Sequence, residues 1–299
     1  MDAVGSALGN RSPSDRTLNN FVRCTQYPSV RVAQHQKLEF GKICSYGNIT
    51  LRKHARALKI FQCGDKVPDV SNSSEEKGWS VSPLRKNLAI FVSGGGSNFR
   101  SIHNASANGL IHGDVVVLVT DKLGCGGADY ARDHDIPVIQ FPKLRDSLEG
   151  LSPTDLVIFL RKLKVHYILL AGFLKLIPIE LIQAYPRSIL NIHPSLLPAF
   201  GGKGYYGLKV HKAVIASGAR YSGPTVHFVD EHYDTGRILA QKVVPVLAND
   251  TAEQLAARVL REEHQVYAEV VSALCDERVV WREDGVPLIR SRDNPDEYL

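Results

Sequence analysis

The stretch Leu88-Ala89-Ile90-Phe91-Val92-Ser93-Gly94-Gly95-Gly96-Ser97-Asn98 decides the fold. It opens with a continuous apolar run, which is typical of a strand that is buried on both faces of a parallel sheet. A glycine-rich turn follows, and residues 98–107 have the pattern of a helix. A strand, a glycine turn and a helix in this order surround an anion with backbone N–H groups and a helix N-terminus.

The glycine turn differs from the two common nucleotide-binding motifs. A dinucleotide fingerprint would need a third glycine where Phe99 stands, and a P-loop would need Gly-Lys followed by Ser or Thr. The turn therefore suits one phosphate group rather than a dinucleotide, and Ser97 and Asn98 would add side-chain donors. The alternative interpretation is a plain tight turn.

The alternation of strands and helices continues along the chain. It predicts strands at 114–120, 137–140, 167–170, 190–193, 225–229 and 238–246, and helices at 128–134, 155–164 and 251–273. Strands joined through helices imply right-handed crossovers and a mostly parallel, Rossmann-like α/β sheet flanked by helices. Ligands in such sheets bind beyond the carboxyl ends of the strands. We therefore expect the glycine turn and the segment around Asn191 and His193 to share one crevice.

That second segment, Asn191-Ile192-His193-Pro194-Ser195-Leu196-Leu197-Pro198, carries the candidate chemistry. In an extended chain, alternation places Asn191 and His193 on one side and directs Ile192 into the core. The prolines fix the direction in which the chain leaves, because each locks its own φ and restricts the preceding residue. An amide beside an imidazole on a rigid strand end suits proton chemistry. The alternative is a surface histidine next to a turn asparagine.

These stretches resemble the formyltransferases that use 10-formyltetrahydrofolate. The Asn-x-His-Pro-Ser-Leu-Leu-Pro segment is similar to the active-site signature of that family. Residues 223–229, Gly-Pro-Thr-Val-His-Phe-Val, and 233–236, Tyr-Asp-Thr-Gly, look like the second half of the same site. The glycine loop looks like the phosphate loop of one branch, the phosphoribosylglycinamide formyltransferases. The resemblance covers residues 86–282, with the motifs in the right order.

The resemblance implies a role for each matching residue. Asn191 and His193 would stabilise a tetrahedral oxyanion, and an ionised Asp234 would keep His193 protonated to higher pH. The folate would lie against Leu174-Lys175-Leu176-Ile177, where the family often has arginine in place of Lys175. The other implied residues are Asn191 and Asp230 for the folate, Gly95, Gly96, Ser97, Asn98 and Glu263 for the acceptor's phosphate and ribonucleotide, and Ser195, Thr225 and His227 as supporting groups.

The acceptor distinguishes the activities within this family. The glycine loop favours a phosphorylated small molecule, so the resemblance implies formylation of glycinamide ribonucleotide by 10-formyltetrahydrofolate in purine biosynthesis. A formyltetrahydrofolate hydrolase is the alternative, and it is expected to carry an N-terminal ligand-binding domain that the leader does not resemble. A methionyl-tRNA formyltransferase is expected to carry a C-terminal tRNA-binding domain. A non-catalytic phosphate-binding module would need no converging amide, imidazole and carboxylate.

Residues 1–83 differ in composition from the rest of the chain. They are rich in Ser, Asn, Arg and Lys, and the first sixty residues hold few acidic ones, namely Asp2, Asp15 and Glu39. This composition predicts a disordered transit peptide and linker that precede a catalytic domain at 84–299. A plastid is the predicted destination, with a mitochondrion as the alternative. A disordered regulatory tail is the other interpretation.

The rest of the composition limits the kinds of binding partner that we expect. The formal net charge of +5 lies largely in the leader, so it does not indicate a nucleic-acid partner. The chain has no C-x-x-C pair and no long apolar run, so we expect no metal and no membrane span. Cys125, in Gly124-Cys125-Gly126-Gly127, is interpreted as a small residue in a glycine turn rather than a nucleophile. We expect only small-molecule substrates, and a monomer or homodimer.

Overall fold

The computed structural model of the protein describes residues 84–143 and 150–298, and the predicted leader at 1–83 lies outside the described residues. The described strands are β1 (Lys86–Val92), β2 (Gly113–Thr120), β3 (Val138–Gln140), β4 (Val165–Leu170), β5 (Ile189–His193), β6 (Tyr221–Ser222), β7 (Thr225–Phe228), β8 (Ile238–Gln241), β9 (Val244–Pro245), β10 (Val279–Trp281) and β11 (Pro287–Ile289).

Helices alternate with the first strands, as the sequence predicts. They are α1 (Ser97–Ala107), α2 (Gly126–Asp133), α3 (Pro153–Lys162), α4 (Ile179–Ala184), α5 (Leu208–Ser217) and α6 (Ala252–Cys275). Across residues 84–143 and 150–298, no helix has the length and apolar composition needed to cross a membrane.

One seven-stranded sheet organises these elements, in the order β3-β2-β1-β4-β5-β7-β8. The strands from β3 to β5 pair in parallel, whereas β7 runs antiparallel to β5 and β8 antiparallel to β7. The predicted mostly parallel α/β sheet is therefore confirmed. Because the parallel strands end on the same edge, the loops after β1, β4 and β5 come together there.

The apolar run of β1 forms a core on both faces of the sheet. Leu88, Ile90 and Val92 contact a cluster that includes residues of α1, α2 and α6. Ala89 and Phe91 lie on the other face of the sheet, in a second cluster that includes residues of α3 and α4. A strand between two layers of helices has no solvated face, which explains its lack of alternation.

Helix α6 is fixed at its start by a cap and in its second half by a contact with the sheet. Thr251 and Gln254 form a reciprocal capping box at its start. The hydroxyl of Tyr267, fully buried, lies 3.1 Å from the carbonyl of Leu170 in β4 and 3.2 Å from that of Leu190 in β5. Glu263 precedes Tyr267 by one helical turn and therefore also faces the sheet.

The prediction of a single strand at 238–246 is wrong. Its first part is β8, which pairs with β7, and its second part is β9, which pairs with β6 in a separate two-stranded sheet. The change of partner follows from Gly223 and Pro224, which separate β6 from β7. Gly223 has φ 149° and lies so close to Lys242 that a Cβ would be 1.8 Å from that carbonyl oxygen. Near the end of the chain, β10 and β11 form an antiparallel hairpin around Asp284-Gly285.

Candidate active site

A cavity of about 830 Å³ lies at the edge of the sheet where the parallel strands end. Such a volume is within the range of roughly 300–1,000 Å³ that is usual for small-molecule sites. The residues predicted for the site that line it are Asn98, Leu174, Lys175, Leu176, Ile177, Asn191, His193, His227, Asp230, Asp234 and Glu263. The structure thus brings the glycine-loop region and the Asn191–His193 segment to one crevice.

Three predicted catalytic side chains meet in this cavity. Strand β5 places Asn191 and His193 on the same side, and Asp234 reaches them from the loop after β7. Nδ2 of Asn191 donates to Oδ1 of Asp234 over 3.3 Å, and Nδ1 of His193 lies 3.4 Å from the other carboxylate oxygen. The carboxylate therefore contacts both residues.

The backbone holds Asp234 in this position. Its φ of 59° is in the left-handed region, which few non-glycine residues adopt. The N–H of Gly202 donates to Oδ2 over 2.9 Å. This bond also ties the glycine-rich loop at 201–207 to the catalytic cluster.

His193 and the neighbouring His227 each have one ring nitrogen within hydrogen-bond distance of a backbone carbonyl. Nε2 of His193 lies 2.9 Å from the carbonyl oxygen of Phe200, and Nδ1 of His227 lies 2.8 Å from that of Phe228. Each of these nitrogens must carry a proton to make a hydrogen bond. The nitrogens left for the site are therefore Nδ1 of His193 and Nε2 of His227. Nε2 of His227 lies 3.1 Å from Nδ2 of Asn191 and can accept from it.

Burial and neighbouring groups shift the pKa values of His193 and Asp234. Burial has the largest effect on His193 and leaves its pKa below the ordinary value, because desolvation disfavours the charged ring. Asp234 raises the pKa of His193, which is the direction expected from the sequence, and so does the hydrogen bond to the Phe200 carbonyl. Burial raises the pKa of Asp234, but the imidazoles of His227 and His193 and the N–H of Gly202 bring it below its ordinary value.

The predicted supporting residues Ser195 and Thr225 lie behind the cavity and are fully buried. The hydroxyl of Thr225 accepts from the N–H of Leu197 at 3.0 Å and from Nε2 of Gln241 at 2.9 Å, and it donates to the carbonyl of Ser195 at 2.6 Å. The hydroxyl of Ser195 donates to the carbonyl of Ala199. Together these bonds brace the turn that follows β5.

The glycine loop leads to the opposite end of the site, which it reaches through Asn98. Gly96 caps α1 in the left-handed conformation, with φ 73°, and no side chain caps the helix. The N–H groups of the first turn therefore lack a capping acceptor among the described residues. Asn98 lines the cavity, whereas Gly95, Gly96 and Ser97 do not.

Glu263 of α6 is the hydrogen-bond partner of Asn98 at this end of the cavity. Nδ2 of Asn98 donates to Oε2 of Glu263 over 2.7 Å. Burial raises the pKa of Glu263, and the hydrogen bond from Asn98 opposes that shift only in part. Glu263 is therefore a buried residue of α6 rather than a solvated one.

The segment after β4 forms an apolar wall of the cavity. Leu174 and Leu176 are about half exposed, at 46% and 47%. Nζ of Lys175 lies 3.8 Å from Oδ2 of Asp121. Asp230 also lines the cavity, and its carboxylate accepts from the hydroxyl of Thr235 and so closes the 230–235 turn.

Sequence reasoning missed part of this site. His211 of α5 is buried, lines the cavity, and has an Nδ1 atom without a hydrogen-bond partner among the described residues. Burial and the neighbouring His193 lower its pKa. Tyr205 and Tyr206 line the cavity as well. No motif marks these residues, and only the position of the two tyrosines within the glycine-rich loop, and of His211 shortly after it, could have indicated them.

Comparison with known proteins agrees with this geometry. A family model described as Formyl transferase matches residues 86–271, more than half of the chain. A chloroplastic phosphoribosylglycinamide formyltransferase of Vigna unguiculata is 75% identical over 219 residues, 73% of this chain and 70% of that protein. Its counterpart in Arabidopsis thaliana is 62% identical over 244 residues, 81% and 83% of the two chains. The crystal structure of glycinamide ribonucleotide transformylase 1 from Symbiobacterium toebii matches with a TM-score of 0.61 at 31% identity, covering 70% of this chain and 97% of that one. The chain therefore belongs to the formyl transferase family.

Proposed function

We propose that this protein transfers the formyl group of 10-formyltetrahydrofolate to the amine of 5-phosphoribosylglycinamide, a step of purine biosynthesis. The observation that carries the proposal is one cavity lined by Asn191, His193 and Asp234 at one end and by Asn98 and Glu263 at the other. A binding module has no use for the buried cluster, and a hydrolase has no use for a second anion-binding end. Direct attack by the amine needs both substrates in one cavity.

The acceptor amine attacks the formyl carbon, so a C–N bond forms and the carbonyl oxygen becomes an oxyanion. Asn191 donates a hydrogen bond to that oxygen through Nδ2 in exchange for its hydrogen bond to Asp234 or to His227. His193 donates through Nδ1 once this atom is protonated. The proton lost by the amine passes by way of Asp234 and water to Nδ1 of His193. Collapse of the intermediate breaks the bond to the folate nitrogen, which takes up that proton from His193 and leaves the ring neutral again.

The lowered pKa of His193 fits this sequence of steps. The ring is neutral in the free protein at neutral pH, because burial disfavours its charged form. A developing oxyanion nearby raises the pKa, so His193 carries its second proton mainly while the intermediate exists. Asp234, whose own pKa lies below the ordinary value, supplies the opposite charge throughout.

The two ends of the cavity divide the substrates between them. We assign the acceptor phosphate to the N–H groups of the glycine loop, Gly95 to Asn98, because they meet a helix N-terminus that has no capping side chain. Glu263 and Asn98 then meet the ribonucleotide. The apolar residues Leu174, Leu176 and Ile177 contact the folate ring, with Asp230 and Asn191 as polar partners and Lys175 at the edge.

An assay with protein lacking residues 1–83 tests the proposal. Folate release from 10-formyltetrahydrofolate is measured with and without glycinamide ribonucleotide. The transferase releases folate only in the presence of the ribonucleotide, and formylated ribonucleotide accumulates in equal amount. Release without the ribonucleotide would identify a hydrolase. Size-exclusion chromatography of the same sample distinguishes a monomer from a homodimer.

We also propose that residues 1–83 are a transit peptide and linker that direct the protein to a plastid, and that 84–299 is the catalytic domain. The support is the basic, acid-poor composition and the chloroplastic relatives. Residues 1–83 fused to a fluorescent reporter should bring it into plastids. Fluorescence in mitochondria would favour the alternative organelle, and fluorescence spread through the cytosol would exclude targeting.

A further inference from the structure

The second glycine turn of the chain, Gly126-Gly127, has no role in the chemistry described so far. It opens helix α2, a position where glycine is a poor choice because alanine favours helix formation more strongly. Neither glycine has a positive φ that would require it. Their presence therefore needs a reason outside the helix.

The reason is a close approach to the phosphate loop. The N–H of Gly127 donates to the carbonyl of Gly94 over 3.0 Å. A Cβ on Gly96 would lie 2.9 Å from the Cα of Gly127, and a Cβ on Gly126 would lie 3.5 Å from the Cα of Gly95. The two glycine turns thus touch backbone to backbone, with no side chain between them.

The contact benefits both helices. The Gly94 carbonyl satisfies one of the donors at the start of α2, which has no side-chain cap. In return, the hydrogen bond fixes the Gly94 carbonyl and with it the backbone of the loop. The side chain of Arg100 in α1 adds a bridge, because Nη2 donates to the carbonyl of Gly126 over 3.3 Å. A loop fixed in this way keeps its N–H groups converging on one point.

We propose that Gly127, supported by Gly126, positions the phosphate loop and thereby sets the preference for a phosphorylated acceptor. The inference rests on the proposed function, and it makes these glycines positioning residues that do not touch the substrate. A methyl group on Gly127 would meet Cγ1 of Val92 at 2.8 Å and the Gly94 carbonyl oxygen at 3.3 Å. Either α2 or the loop must then move.

Three alanine variants test how the contact between the two glycine turns affects binding of the acceptor. Gly127→Ala should raise KM for glycinamide ribonucleotide about tenfold or more while KM for 10-formyltetrahydrofolate and kcat stay near their wild-type values. Gly126→Ala, whose methyl group would meet the loop at ordinary contact distance, should have a smaller effect in the same direction. Gly124→Ala is the matched control, because a Cβ there has nothing within 4 Å.

A second acceptor separates positioning from general damage. Glycinamide ribonucleoside, which lacks the phosphate, should be used equally well by wild type and by Gly127→Ala. The inference is overturned if Gly127→Ala raises KM for both acceptors alike, or if all three variants keep the wild-type KM for the ribonucleotide. A wild-type protein that formylates neither acceptor would instead refute the proposed function.

A further variant covers the case in which Gly127→Ala does not fold. Val92→Ala removes the Cγ1 atom that the new methyl group would meet at 2.8 Å, so the double variant keeps the close contact with the Gly94 carbonyl oxygen at 3.3 Å and an ordinary contact with Cβ of residue 92 at 3.4 Å. Val92→Ala alone is its control. The double variant should still show a raised KM for the ribonucleotide relative to that control, and an unchanged KM would overturn the inference.

Discussion

The two ends of the cavity are built from different parts of the chain. At the β5 end, side chains carry the proposed chemistry, and Asn191, His193 and Asp234 are each held by hydrogen bonds. At the glycine-loop end, backbone approaches backbone, and Gly96 leaves the start of α1 without a cap. The first end is therefore damaged by removing atoms and the second by adding them. This difference predicts separate kinetic signatures for the two ends.

Removing the imidazole of His193 should have the largest effect. His193→Ala deletes a donor that acts on the oxyanion, and loss of such a group typically lowers the rate by about 10²–10³-fold. The group acts mainly in the transition state, so kcat should fall while KM for either substrate changes little. Steady-state kinetics at saturating concentrations of both substrates provide the measurement. A variant in which only KM rises would show that His193 serves binding.

Replacing the carboxylate of Asp234 should lower kcat by a similar or smaller factor and should also move a titration. Asp234 raises the pKa of His193 against the larger effect of burial. Asp234→Asn removes that charge with little change of shape, so the pKa of His193 should fall further below its ordinary value. An NMR titration of the ring protons, with His193→Ala for assignment, measures both values. An unshifted titration together with near-normal kcat would direct attention to Asp230 or Glu231.

Adding a methyl group at Gly96 tests the other end. Gly96→Ala places a Cβ 2.9 Å from the Cα of Gly127 and strains a residue with φ 73°. The left-handed conformation alone costs about 1–2 kcal/mol for a residue with a Cβ, and 1.4 kcal/mol corresponds to about tenfold in affinity. KM for the ribonucleotide should rise by roughly that factor or more, with KM for the folate unchanged. Equal increases for both substrates would mean that the loop is only structural.

The parts of the site that the sequence predicts are those with a local pattern. The glycine turn after an apolar run and the alternation at Asn191 and His193 both fix local geometry, and the structure agrees with each. The break between β8 and β9 depends on how closely Gly223 approaches Lys242, which no local pattern contains. The direction of the His193 pKa likewise depends on burial, a property of the whole fold. The roles assigned to the site residues remain predictions.

The smallest effect on turnover should come from Thr225, which braces the β5 end without lining the cavity. Thr225→Val keeps the shape of the side chain but leaves the N–H of Leu197 without its acceptor. It also removes one of the two hydrogen bonds that Nε2 of Gln241 donates, the other going to the carbonyl of Leu197. An unsatisfied buried donor costs about 1–3 kcal/mol, so the free energy of unfolding should fall by about that amount. For a domain of this size, each kcal/mol lowers Tm by roughly 2–4 °C. Because the catalytic atoms are untouched, kcat should stay within about tenfold of wild type, well above the value for His193→Ala. Thermal unfolding followed by circular dichroism, with kinetics on the same sample, measures both quantities. A loss of kcat as large as that of His193→Ala, with Tm unchanged, would place Thr225 among the reacting groups rather than among the residues that support them.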